Sequence, residues 1–520
     1  MHKIIKAISR HGVHLCLLVV FLFSGCIENR HTLRIAVDRM PEQLDPILSL
    51  EPVGRRVAAH LYESLFRQNE EGKILPHLAS EGVYDSSQTR LTIHIREGVL
   101  FHDGDGLTAH DVVYSIQRIL DITKEGQPRV ETSPDQLGRP LTIQAVDDMT
   151  LEIVLSAPHY SLLRTLTTPF FTPIIKNGTG QSPDHAPPIG TGPYRVKHFS
   201  PGRGTTILEK NDQYWGIQGI PDRIIFRAYD NDDERIDAIR AEKADIALNV
   251  GISSVARVNS YSDVMQLELV TRRGWLVLGI NNQRPPFDDV NMRRALARAL
   301  NTEEIVRERW GRAGVVMRLF IGEGLEPGYR GPPAPTFNPD RASDYLVHDT
   351  TGEVEKLKFL RSMAPNREET ERFVYILKEN LLKYGLDIEQ EYIEPFTAYD
   401  EQLRLGEWDL IIDGYSTDNG DLYSFLYDMY GRINPDGSNG LFHMAGDEFM
   451  ELLRRVNSTI DDDERNRLFR MAIDWIADQV PCIPLADLKS FLVRSNGVDG
   501  LDPGPFSDWT FSSVSKEGWQ

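Results

Sequence analysis

Two aspartates three residues apart, in Thr417-Asp418-Asn419-Gly420-Asp421, follow the short apolar run Asp409-Leu-Ile-Ile412. Ligands of open α/β sheets gather beyond the carboxyl ends of strands. A carboxylate placed there can accept charge-assisted hydrogen bonds, roughly twice as strong as neutral ones, from a cationic ligand group. The same five residues also fit a polar turn whose acids cap nearby backbone N–H groups, and the pattern alone leaves both readings open. Other chemically capable sets fall short. Gly414-Tyr-Ser416-Thr-Asp418 lacks the second glycine of a nucleophile elbow. There is no Cys-x-x-Cys, His-Glu-x-x-His or phosphate-binding glycine loop. His94, His102 and His110 recur every eight residues, which does not align ligands on one helix face; they read as ordinary surface or core histidines. Asp461-Asp-Asp-Glu464 lacks the glycine and distal glutamate of a calcium loop. It precedes Leu468, Ala472, Ile473 and Ile476 at helical spacing, so it reads as a helix cap that answers free N–H groups and the dipole. No catalytic residue, cofactor or metal site is expected, and an exported hydrolase is disfavoured.

The elements that must position the loop are legible. Val374, Leu377, Leu381 and Tyr384 form a helical stripe ended by Gly385, and Leu386, Ile388 and Tyr392 then alternate as a strand. Tyr399 to Leu405 reads as a helix ended by Gly406, and residues 409–412 as the strand that feeds the loop at Gly414–Asp421. Earlier, Val57, Leu61 and Leu65 repeat at helical spacing, and Leu91, Ile93 and Ile95 alternate at strand period. Thr108 and Asp111 form a capping box before Val112, Val113, Ile116 and Leu120. Leu151 to Leu155 is strand-like, residues 121–140 are irregular, and Lys176 to Ile189 reads as a linker.

The amino terminus indicates export. Lys3, Lys6 and Arg10 precede nine unbroken apolar residues, Leu15 to Phe23. That run suits a secretory signal and is short of the ~20 residues needed to span a bilayer. Ser24-Gly25-Cys26 resembles a bacterial lipobox, which implies cleavage before Cys26, acylation of that cysteine and anchoring of the mature chain to an envelope membrane. The body is large and acidic: 520 residues, 41% hydrophobic, formal net charge −20. At ~150 residues per domain this predicts about three domains. The acidity argues against nucleic acid as a partner. With Cys16 in the signal and Cys26 acylated, only Cys482 remains, so no intramolecular disulfide is expected.

Blocks spread along the chain resemble one family. They are Leu44-Asp45-Pro46, Leu61-Tyr62-Glu63-Ser64-Leu65, Phe101-His102-Asp103-Gly104, and Leu107-Thr108-Ala109-His110-Asp111-Val112. Next come Gly190-Thr191-Gly192-Pro193-Tyr194, Asn211-Asp-Gln-Tyr214-Trp215, residues 281–289 and Val480-Pro481-Cys-Ile-Pro484-Leu485. Together they resemble the solute-binding lipoproteins of peptide/nickel-type ABC importers. The resemblance implies an α/β type II periplasmic binding protein with two lobes and an extra domain, closing about a hinge. Domain I is expected at 30–65, 190–278 and 488–520, domain II at 66–189 and domain III at 279–487. The strand-like run Trp275 to Ile280 is the expected hinge. In dipeptide-binding members a Gly-Asp-Asn-Gly-Asp loop supplies an aspartate for the peptide α-ammonium group. This implies Asp418 as acceptor, with Asn419, Gly420 and Tyr415 lining the site. Thr417 replaces the first glycine, Tyr415 a common tryptophan and Leu422 a common proline. No arginine matches a carboxylate-binding position; Arg361 lies nearby and reads as a solvated surface residue. The implied function is capture of a peptide, or alternatively an oligosaccharide, opine-like compound or metal chelate. A monomer would deliver it to membrane permease subunits, without chemistry.

Overall fold

The computed structural model describes residues 31–49, 51–69, 72–124, 136–180, 187–310, 314–321, 329, 331–346, 355–362, 367–393, 396–416, 420–432, 440–444, 447–501 and 510–519. Strand β1 (Thr32–Val37) leads to helix α1 (Pro52–Leu61). A four-stranded sheet follows from β2 (Ala79–Tyr84), β3 (Arg90–Ile95), β4 (Thr142–Asp147) and β5 (Thr150–Val154), with helix α2 (Ala109–Lys124) between β3 and β4. The chain then forms β6 (Tyr194–Phe199), β7 (Thr205–Lys210), β8 (Arg223–Ala228), α3 (Asp232–Arg240), β9 (Ile246–Val250) and the long β10 (Met265–Ile280). Next come α4 (Val290–Ala299), β11 (Glu355–Ser362), α5 (Arg367–Leu381), β12 (Leu386–Ile393), α6 (Phe396–Leu405), β13 (Leu410–Ser416) and α7 (Leu422–Leu426). Helices α8 (Glu448–Ser458) and α9 (Asp462–Gln479) precede β14 (Cys482–Ser495).

Among the described residues the largest sheet has ten strands, in the order β12-β11-β13-β10-β14-β9-β1-β8-β7-β6. It is mixed. β1 runs parallel to β8 and β9, and β11 runs parallel to β12 and β13. β10 is antiparallel to β13 and β14. One apolar core is built from residues between Trp275 and Ala486, and another gathers Leu33, Ile35, Phe226 and Phe511. A third covers the four-stranded sheet with Leu91, Ile93, Val112, Ile116 and Leu151. Ala36 and Ile236 belong to a fourth on the other face of β1.

Among the described residues, only β10 and β14 run from the first core into the second and fourth as long paired strands. Their ladder goes from Met265↔Ser495 to Gly279↔Cys482 but breaks between Thr271↔Lys489 and Trp275↔Asp487. More residues are used on β10 than on β14 there, which is a bulge, and bulges bend a strand. Trp275, Val277, Leu278 and Ile280 lie beyond the break, all buried in the first core. The ladder shifts again between Leu276↔Ala486 and Val277↔Pro484, so the irregular backbone begins just before the expected hinge run and extends into it.

Several sequence blocks converge on one buried carboxylate. Glu63 Oε1 accepts from the Tyr214 hydroxyl at 2.8 Å and faces His77 Nε2 at 2.8 Å. Its Oε2 accepts from the Thr191 hydroxyl at 2.7 Å and the Trp215 indole N–H at 3.1 Å. Gly190 and Gly192 let this junction close, because a Cβ on either would meet the Leu61 or His60 carbonyl oxygen at 2.1 and 2.5 Å. His102 joins the cluster through Nε2 at 3.1 Å from the Gly192 carbonyl oxygen. Asp45 is buried with Arg118, whose Nη1 lies 3.3 Å from Oδ1 and whose Nη2 also donates to the Gly180 carbonyl at 2.8 Å.

Helix boundaries follow their chemistry. Half of the Thr108–Asp111 capping box is present: Asp111 Oδ2 accepts from the Thr108 N–H at 2.9 Å and from its hydroxyl at 2.7 Å, while the Asp111 N–H donates to the Thr108 carbonyl rather than to the hydroxyl. Asp461 caps α9 by accepting from the Glu464 N–H at 2.8 Å. Gly385 and Gly406 end their helices with φ of 73° and 69°, a left-handed backbone that glycine adopts without strain. One stripe is shorter than its periodicity predicts. Helix α1 ends at Leu61 because Tyr62 turns extended and Glu63 bridges Ile174, so Leu65 is buried in the third core from outside the helix.

Candidate functional site

The strand that feeds the acidic loop is fixed at its start. Asp409, buried, accepts from the Lys358 N–H at 2.7 Å through Oδ2 and from Arg284 Nε at 2.7 Å through Oδ1. The Lys358 bond holds β13 beside β11, where Phe359 pairs with Leu410. The strand then runs further than its apolar residues indicate, to Ser416, with Tyr415 opposite Trp275 and Ser416 opposite Gly274 on β10. The Tyr415 side chain is not among those described.

Asp418 and Asn419 lie outside the described residues. The chain is described again at Gly420, whose φ of 63° is left-handed and suits its lack of a Cβ. Asp421 then caps α7, with Oδ2 accepting from the Ser424 N–H at 3.0 Å and the Ser424 hydroxyl at 2.7 Å. Its side chain is buried. Burial pushes its pKa up, while the positive charge of Arg164 and the Ser424 bonds pull the other way. One of the two loop acids therefore does the capping work that the turn reading assigns.

The core around α7 is aromatic. Trp275 is fully buried, its ring centroid 4.4 Å from that of Phe425 on α7. Tyr423 and Tyr427 stack at 6.2 Å, and His159, from the four-stranded-sheet region, meets Tyr423 edge-on at 5.9 Å. The contribution of His159 and Arg164 is invisible to local periodicity, because they meet this loop from more than 250 residues away in sequence.

Arg361 departs from expectation. Its side chain is only 3% exposed, and Nη2 donates to Glu371 Oε1 at 2.8 Å. The guanidinium carbon lies 4.0 Å over the Tyr392 ring. It is a buried, paired arginine rather than a solvated one, because β11 is an interior strand of the sheet and α5 supplies its carboxylate.

Among the described residues no group of three or more His, Cys, Asp or Glu side chains could hold a metal ion, and no helix is long and apolar enough to cross a membrane. What is described around the end of β13 is a buried, capping Asp421 packed among aromatic side chains.

Comparison with known proteins covers nearly the whole chain. The description "Bacterial extracellular solute-binding proteins, family 5 Middle" matches residues 73–436. Heme-binding protein A of Haemophilus influenzae is 24% identical, over 94% of this chain and 93% of its own. Di/tripeptide-binding protein 2 of Pseudomonas aeruginosa is also 24% identical, over 96% and 97%. In structure, the dipeptide-binding protein of Pseudoalteromonas sp. SM9913, solved with Met-Leu, superposes with a TM-score of 0.82 at 19% identity, covering 94% of this chain and all of that one. This likeness shows the two-lobe periplasmic-binding-protein fold.

Proposed function

The chain belongs to the bacterial extracellular solute-binding proteins of family 5, and from that premise we propose that it captures short peptides outside the cytoplasm and passes them to an ATP-driven permease. One observation carries this reading: end-to-end similarity to a di/tripeptide-binding protein, combined with an Asp-Asn-Gly-Asp loop after the carboxyl end of β13. In this reading Asp418 receives the peptide α-ammonium group, and Asn419, Gly420 and Tyr415 line the pocket around it. Capture of Asp421 by its own helix supports Asp418 as the acid left for ligand. The protein acts as a monomer and does no chemistry on its ligand. A non-peptide solute is the second reading, favoured by the equal identity to a relative named for heme.

We place domain I at 30–65, 190–278 and 488–520, domain II at 66–189 and domain III at 279–487; the separate apolar cores support this division in outline, with Phe170 and Ile175 packed in the core of domain I, Ile47 and Leu65 in that of domain II, and Trp275, Val277 and Leu278 in that of domain III. Rotation between lobes would then bend β10 and β14 near Trp275 to Ile280, where the ladder is interrupted just before the run and again between Leu276 and Val277. Native mass spectrometry of the purified chain tests the ligand class. A carried mass that fragments as a short peptide is expected, and one that fragments as a sugar, tetrapyrrole or chelate overturns it.

The charged start, apolar run and small residues before Cys26 support a lipid anchor. Acyl chains contribute ~0.8 kcal/mol per buried methylene, so more than one gives durable attachment. Cys26→Ser is expected to leave an unprocessed or released form on membrane fractionation. Wild-type protein recovered wholly soluble and without acyl groups would contradict the anchor.

A further inference from the structure

We propose that the turn at Tyr160–Ser161 is a latch that holds the lobes together and so sets ligand affinity without touching ligand. This rests on the two-lobe closure reading above. Leu162 and Leu166 anchor the segment in the core of the four-stranded sheet. Tyr160 leaves that core and packs against the one built from residues 275–486. There its N–H donates to the Asn457 carbonyl at 3.0 Å, and the Ser161 N–H donates to Asn457 Oδ1 at 3.4 Å. The Tyr160 ring meets Phe469 edge-on at 6.1 Å and carries the Arg465 guanidinium 4.1 Å above it. Gln136 adds a bond from Nε2 to Asp428 Oδ2 at 3.3 Å.

The receiving side is built in advance. Asn457 lies in the last turn of α8 and Arg465 in the first turn of α9. Arg465 Nη1 donates to the Thr459 and Ile460 carbonyls at 3.1 and 3.2 Å, and Nη2 contacts Asp462. The guanidinium is therefore held by bonds that do not involve the tyrosine, which lowers the ordering cost of the contact. The partners come from residues 136–161 on one side and 428–469 on the other; none is assigned to ligand, although His159 beside Tyr160 meets Tyr423 just after the loop. A contact made only in the closed form multiplies the closed population by one factor. Any ligand that needs closure gains that factor, whatever its side chains.

The test uses the full mature chain, a panel of peptides of differing side chains, and calorimetry. Tyr160→Ala is expected to raise Kd about tenfold, or ~1.4 kcal/mol, and by the same factor for every peptide. Asn457→Ala, which keeps the carbonyl acceptor, is expected to raise it less. A second measurement is independent of any loss of stability: oxidation of a Ser161→Cys, Asn457→Cys double variant should form the cross-link faster with peptide than without. Unchanged Kd in Tyr160→Ala, a loss that varies with peptide side chain, or cross-linking indifferent to peptide overturns the latch while the receptor reading stands. Wild-type protein that binds no peptide overturns the receptor reading and the latch with it.

Discussion

Asp418→Asn is expected to weaken free-peptide binding by roughly a hundredfold to several thousandfold. The asparagine keeps the shape and part of the hydrogen bonding but removes the charge. Losing one partner of a buried ion pair costs ~3–5 kcal/mol, and each ~1.4 kcal/mol is a decade of affinity. The loss is this large only if closure excludes water around the pair, since the same pair in bulk solvent is worth far less. Asp421→Asn should behave differently. That side chain caps α7 through Ser424, so the expected loss is in stability, with a smaller change in affinity. Calorimetric titration of both variants separates the roles, and an Asp418→Asn protein that binds as tightly as wild type removes the ammonium assignment.

Glu63→Gln is expected to lower stability by ~3 kcal/mol or more at neutral pH, because it takes a buried negative charge from His77 and places an amide N–H₂ among donors. Burial alone would push the Glu63 pKa up, but the His77, Thr191 and Trp215 contacts outweigh it and hold it below the ordinary carboxylate range. A carboxyl group with a depressed folded pKa contributes stability above its unfolded value, and that contribution is lost as pH falls through the folded one. The urea midpoint of the wild type should therefore exceed that of Glu63→Gln at pH 7 and approach it in acid. Equal midpoints at pH 7 would show that the network contributes nothing. The chain has several cores, so the transition that includes residues 61–215 is the one to follow.

Local pattern carried far where chemistry was local. The stripe Val374-Leu377-Leu381, the glycine stops at 385 and 406, and the caps at Thr108 and Asp461 all depend on neighbours within a few residues. Leu65 misled because its helical spacing continues past a point where Glu63 must face Thr191 and Tyr214, contacts 128 and 151 residues away. Arg361 misled for a related reason. Burial of a charged side chain depends on strand order, and nothing near residue 361 tells that β11 lies between β12 and β13. The loop expected from Gly414 begins later, because β13 pairs with β10 as far as Ser416, and that Asp421 is a cap depended on Ser424 and the fold around it. The sequence blocks were visible without their reason; Glu63 supplies it, since three of them meet at its carboxylate.

The central claim, peptide capture through the α-ammonium group, is tested most directly by titrating the wild-type mature chain with paired peptides, each free and N-acetylated, beside an uncharged oligosaccharide. Strong heat with the free peptides, affinity reduced at least a hundredfold by acetylation, and no binding of the sugar are the predicted result. Equal affinity for the free and acetylated forms, or tight binding of a ligand without a cationic group, would contradict it.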